Sequence, residues 1–107
     1  MSKTFETVRN LAKDGSIRIS EHGYDELVAD DIFVREIVEG IEAAEIVEDY
    51  PDYPKGPCVL VLQKDRENQP IHVVWGIPKG HTSSAVLVTA YRPDPDKWED
   101  DFIRRRK

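Results

Sequence analysis

The sequence predicts an α+β domain: N-terminal helices followed by a four-stranded antiparallel sheet meander and a short C-terminal helix. Three observations predict it. Apolar residues recur at helical spacing up to about residue 44. Beyond that point they alternate or run continuously, as strand residues do. The links between these later runs are five to seven residues long, too short for a crossover, so neighbouring strands should pair antiparallel. No repeat, low-complexity stretch or long linker divides the 107 residues, and a single domain over 1–107 is expected.

Phe5, Val8, Leu11 and Ala12 define the first helix, and Gly15 is its stop. Ile17-Arg18-Ile19 reads as a short extended link to Ser20, the N-cap of a second helix whose Glu21 complements the dipole. In that helix Tyr24, Leu27 and Val28 form the apolar face, and His22, Asp25 and Glu26 a polar one. Asp30 or Asp31 caps a third helix with Phe33, Val34, Ile37, Val38 and Ile41 as its buried stripe. Gly40 sits near its end, where a left-handed residue is usual.

The first strand is the alternating stretch 46–50. Segment 51–57 cannot continue a ladder, because Pro51, Pro54 and Pro57 lack an amide hydrogen. The run 58–62 is apolar throughout, as in a strand buried on both faces. Residues 64–69 form a turn, 71–77 the third strand and 85–91 the fourth. Asp94 followed by Pro95 starts the closing helix, which Trp98 and Phe102 dock on the sheet.

The net charge of −6 is uneven. Residues 1–54 carry 5 basic and 14 acidic side chains, while residues 55–107 carry 10 and 7. The acidic balance argues against non-specific nucleic-acid binding, which depends on neutralising phosphates. A local basic patch in the second half remains open, densest at Arg104-Arg105-Arg106-Lys107. No run approaches the ~18 apolar residues of a membrane span, and MSKTFETVRN has no signal-peptide core. The lone Cys58 cannot form an intrachain disulfide and reads as an inert, buried thiol. A reducing cytoplasm and no membrane association are expected.

No phosphate-cradling glycine loop, paired Cys-x-x-Cys or His-Glu-x-x-His occurs. His22, Asp25 and Glu26 supply at most part of a metal shell, so neither metal nor cofactor is expected. His22, among carboxylates, suits acid–base chemistry near neutral pH; a surface histidine is the alternative. His72 shares a strand face with Val74 and Gly76, and the small Gly76 suggests a shallow cleft there; a structural histidine is the alternative. His81 reads as a solvated loop residue beside Lys79. Tyr91 and Arg92, at a strand end, suit a phosphate or a leaving oxygen; a tyrosine packed at the sheet rim is the alternative.

Five short motifs carry a resemblance: Ile19-Ser20-Glu21-His22-Gly23, Ile37-Val38-Glu39-Gly40-Ile41, Val47-Glu48-Asp49-Tyr50-Pro51, Pro70-Ile71-His72-Val73-Val74 and Val88-Thr89-Ala90-Tyr91-Arg92-Pro93. Their order and spacing over about 17–93 resemble the bacterial domain-of-unknown-function family numbered 4258. The first helix and the Trp98 segment lie outside it. The resemblance implies the helix-then-sheet fold of RelE-type ribonuclease toxins. Those enzymes cleave RNA without a metal, by activating the 2′-hydroxyl and stabilising the phosphorane. His22 and His72 match the family's recurrent histidines and Tyr91 its strand-end tyrosine. Where members often carry arginine, one turn after the first histidine, this chain has Glu26, a carboxylate that would repel phosphate.

Two functions are therefore expected. In the first, a toxin-like domain cleaves or binds RNA, free or on the ribosome. His22, His72 and Tyr91 are then catalytic, and Arg18, Lys79 and Arg92 bind substrate. In the second, a non-catalytic protein-interaction module meets a partner, such as an antitoxin-like protein, through its acidic helices or a sheet edge. Its signs are histidines that point apart and an apolar patch around Tyr50, Tyr53 and Trp75. The oligomeric state is left open.

Overall fold

The computed structural model describes residues 2–80 and 83–107. The three predicted N-terminal helices form. Helix α1 (Lys3–Lys13) starts at Ser2, whose side chain accepts from the Phe5 N–H, and buries Phe5, Val8 and Ala12. Gly15 follows with φ of +75°, the left-handed stop expected of it. Strand β1 (Ile17–Ile19) then leads into α2 (Glu21–Ala29), which Ser20 caps by accepting from the Gly23 N–H. Helix α3 (Val34–Gly40) runs into a 3₁₀ turn, Ile41–Ala43. Strands β2 (Glu45–Tyr50), β3 (Cys58–Lys64), β4 (Pro70–Gly76) and β5 (Ala85–Tyr91) complete the sheet.

The sheet has five strands rather than four, in the order β1-β5-β4-β3-β2, and is mixed. From β2 to β5 it is the expected antiparallel meander. The fifth strand is the segment read as a link: Ile17, Arg18 and Ile19 pair parallel with Ala85, Val86 and Leu87. Three residues carry too little periodicity to declare a strand, and this one exists because β5 offers an unpaired edge.

Helix docking also differs from expectation. Tyr24 is 59% and Val28 67% exposed, and α2 meets β5 instead through Gly23 and Leu27. A Cβ on Gly23 would lie 2.8 Å from the Leu87 carbonyl oxygen, so the glycine permits a helix-to-strand approach that no side chain would. Neither Asp30 nor Asp31 caps α3. Asp30 ends α2 and accepts from the Arg92 N–H at 2.9 Å, and the uncapped Phe33 occupies the α3 N-cap, 64% exposed. Gly40 has φ of −85°, not a left-handed value; it is small because a Cβ would meet the Lys64 carbonyl at 3.1 Å.

The closing helix is absent, and Trp98 and Arg105 instead form an antiparallel bridge within a small hairpin. Within it the Glu99 N–H donates to the Arg104 carbonyl, and the Arg106 N–H to that of Lys97. The Asp101 carboxylate takes the N–H groups of Ile103 and Arg104, and Phe102 turns at φ of +58°. A short acidic side chain that captures nearby amides competes with the helical ladder, and here it wins. Asp94 likewise closes only a turn, on the Asp96 N–H.

The core lies between the sheet and α1, α2 and α3. It holds Val59, Val61, Ile71, Val73, Trp75, Leu87 and Ala90 from the strands with Phe5, Val8, Leu27, Ile37 and Ile41 from the helices. Buried among them, Gln63 donates through Nε2 to the Ile37 carbonyl at 2.7 Å and accepts from Trp75 Nε1 at 3.0 Å. No helix among the described residues is long and apolar enough to cross a membrane.

Candidate functional site

Side chains opposite the core form three successive cross-strand rows. At one end, strand register aligns Arg18, Val86, Gly76, Cys58 and Tyr50, one residue from each strand. Next come Thr89, Val74, Leu60 and Glu48, and then Tyr91, His72, Leu62 and Glu45. The first row is open and the third is covered, and this division shapes the site.

Gly76 makes a dip in the middle of the first row, which becomes the floor of an apolar groove of about 460 Å³. Its walls include Tyr50, Tyr53, Lys55, Ile77 and Val88. The proline-bearing segment 51–57 does leave the ladder, yet it is tied down as one wall. The Ile77 N–H donates to the Pro57 carbonyl at 2.9 Å and the Lys79 N–H to that of Lys55 at 3.1 Å. Gly56 permits this closure: its φ is +127°, and a Cβ there would lie 2.2 Å from the Ile77 carbonyl oxygen.

Three cations border the groove. Lys55 lines it, Lys79 follows it on the adjoining loop, and Arg18 shares the face of its partner Val86. All three are exposed, and none pairs with a carboxylate among the described residues. Tyr50 and Tyr53 are about half exposed. Burial raises the Cys58 thiol above its ordinary pKa, so it remains protonated at neutral pH.

At the covered end, His72 is fully buried. Its Nε2 lies 2.7 Å from the Phe102 carbonyl, which can only accept, so Nε2 carries the hydrogen. In the neutral ring Nδ1 is then the acceptor, 3.3 Å from the Tyr91 hydroxyl. Trp98 stacks edge-on against the imidazole at 4.5 Å between centroids. Arg105 lies over the Trp98 ring and pairs with Glu48 at 2.9 Å. The open cleft expected beside His72 is thus filled by the C-terminal hairpin.

Burial pushes the His72 pKa below its ordinary value, and the nearby Arg105 charge adds to this; the Phe102 carbonyl and Glu48 oppose it. The unfolded chain therefore takes up this proton more readily than the folded one. The stability this residue contributes is complete above the ordinary histidine value of 6.5 and is lost as pH falls through the lower folded value. The expected result is a melting temperature whose fall with acidification is shallower in His72→Gln than in the parent protein. Thermal unfolding followed by circular dichroism across that range checks it; parallel curves would contradict it.

The predicted site residues are thus divided among separate places. His72 and Tyr91 come together. His22 does not join them: it is exposed on α2, with Glu26 at 3.8 Å as its partner. Arg92 pairs through one guanidinium nitrogen with Asp65 at 2.8 Å and lines a separate surface pocket with Gln69 and Phe102. Arg18 and Lys79 border the groove instead. Of the expected aromatic patch, Tyr50 and Tyr53 line the groove and Trp75 is buried in the core. His81 lies outside the described residues. Among the described residues no group of three or more His, Cys, Asp or Glu side chains could hold a metal ion.

The sequence reading missed the parts played by Lys55, Val86 and Glu48. Lys55 sat in a segment read for its prolines rather than its charge, and Val86 and Arg18 join one row only through the parallel pairing of β1.

Comparison with curated proteins finds no match, and comparison with solved structures finds none. A family profile does match, over residues 19–92, described as Domain of unknown function (DUF4258). That span takes in β2 to β5, which carry the groove floor, and only the last residue of β1, so Arg18 lies just outside it. The chain belongs to the DUF4258 family.

Proposed function

We propose that this chain is an RNA-targeting domain that holds single-stranded RNA across the open end of its sheet. The observation that carries the reading is the groove: an apolar floor, two half-exposed tyrosines, and at its border Lys55, Lys79 and Arg18, which pair with no carboxylate among the described residues. Flat bases stack on exposed aromatic rings at about 1–3 kcal/mol each, and cations follow the backbone. The acidic excess lies in the half of the chain that builds α1 to α3 and β2, and the groove's cations offset it locally.

Anisotropy titration with a labelled single-stranded RNA of about ten nucleotides tests this. Saturable binding that weakens with salt is expected. Tyr50→Ala and Tyr53→Ala should each cost about tenfold, the equivalent of ~1.4 kcal/mol of stacking. Tyr24→Ala, on the exposed side of α2, should change nothing. Absence of RNA binding would move the weight to the protein-interaction reading, in which an antitoxin-like partner seats on Tyr24, Val28 and Phe33.

An RNA-cleaving, RelE-like version is a second reading, favoured by one observation. The His72–Tyr91 pair shares the sheet face of the groove, with Val74, the neighbour of His72 on that face, lining the groove wall. Cleavage of message in a cell-free translation extract, lost in His72→Gln but kept in His22→Ala, supports it; intact message removes it.

A further inference from the structure

We propose that the C-terminal hairpin, residues 97–106, is a displaceable latch whose release extends the groove over His72 and Tyr91; this rests on the RNA reading above. The argument concerns how the hairpin is attached. Its backbone hydrogen bonds are satisfied internally: Glu99 to Arg104, Phe102 to Glu99, and Arg106 to Lys97. It can therefore leave the sheet as a unit without opening its own ladder. Side chains hold it down: the His72 ring on the Phe102 carbonyl, the edge-on contact of Trp98 with that ring, and the Arg105–Glu48 pair.

Beneath it the sheet continues the groove without a step. His72 is two residues from Val74, and Glu48 two from Tyr50, both of which line the groove. A strand of RNA longer than the groove must meet the hairpin at this boundary. There Arg105 faces a choice between Glu48 and a phosphate. A phosphate that captures the guanidinium removes one of the three attachments and uncovers a histidine, a tyrosine hydroxyl and the apolar floor of Leu60 and Leu62. The latch hides these groups, which would otherwise form an exposed apolar patch.

Arg105→Ala, compared with the parent protein in the full chain, gives the test. It removes both the Glu48 pair and the guanidinium over Trp98. If the hairpin is a latch, the substitution quickens amide exchange at Glu99, Phe102 and Arg106 several-fold, and Glu48→Gln, which frees Arg105 for phosphate, does the same and raises affinity for the single-stranded oligonucleotide. If Arg105 only contacts phosphate from a fixed hairpin, affinity falls in Arg105→Ala while exchange is unchanged in both variants, and the latch is overturned. Binding by neither protein sinks the RNA reading separately. In that case hydrogen exchange decides the latch alone: hairpin amides that open together with those of β4 overturn it, and amides that open earlier uphold a releasable hairpin.

Discussion

Gln63→Leu is expected to lower the free energy of unfolding by about 3 kcal/mol, although it replaces a buried polar side chain with an apolar one of similar size. The reason lies in what Gln63 satisfies. Helix α3 tightens at its end, where the Ile41 N–H bonds to the Val38 carbonyl. The Ile37 carbonyl is taken up by Gln63 Nε2, and the Trp75 indole N–H by Gln63 Oε1. Leucine leaves an acceptor and a donor buried without partners, at about 1–3 kcal/mol each. Chemical denaturation should show a lower midpoint with an unchanged slope. A loss below ~1 kcal/mol would mean that water or a repacked neighbour replaces the amide. Gln63→Glu makes a second probe: it keeps the acceptor for Trp75, loses the donor for Ile37, and places a charge in the core.

His72→Ala carries the next largest effect, about 3 kcal/mol, from a buried ring removed and two polar partners left unmatched. This loss should be local in its first consequence. The Phe102 carbonyl and the Trp98 ring lose their seat, so the hairpin should loosen before the sheet does. Tryptophan emission separates the two events. Trp98 should move toward a solvent-exposed spectrum at denaturant concentrations where Trp75, fully buried in the core, remains unchanged. A Trp98→Phe background assigns the signal. A single concerted transition of both tryptophans would show that the hairpin is bound into the core's cooperative unit.

Much of the fold was legible in residue patterns. Ser20 followed by Glu21 marked a helix start, Gly15 a helix stop, and the unbroken apolar run at 58–62 an interior strand. These signals are local: a cap needs a side-chain oxygen near an amide, and a strand buried on both faces needs apolar residues at every position. The errors were equally specific. Tyr24 and Val28 are apolar and helically spaced with Leu27, yet they face solvent because a glycine, invisible to a hydrophobicity pattern, sets the docking face of α2. Asp94-Pro95 looks like a helix start, but the Asp101 carboxylate bends the following chain into a hairpin.

The candidate site divides in the same way. Residue chemistry singled out His72, Tyr91, Arg18 and Lys79 as candidates, because titratable and cationic groups announce themselves by type. Which of them meet depended on register. Arg18 and Tyr50 are 32 positions apart in the chain and lie in one row only because five strands pair across it. His72 became a covered residue only because segment 97–106 folded back over it.

By itself the sequence determined the three N-terminal helices, the antiparallel meander from β2 to β5 and the family. Each follows from short-range periodicity, turn chemistry or motif order, which a linear chain displays directly. The tertiary structure alone decided the parallel fifth strand, the docking face of α2, the hairpin in place of a helix, and the separation of an open cationic groove from a buried histidine. These depend on contacts between distant residues, whose energies arise from burial and hydrogen-bond satisfaction that exist only once the chain has closed on itself.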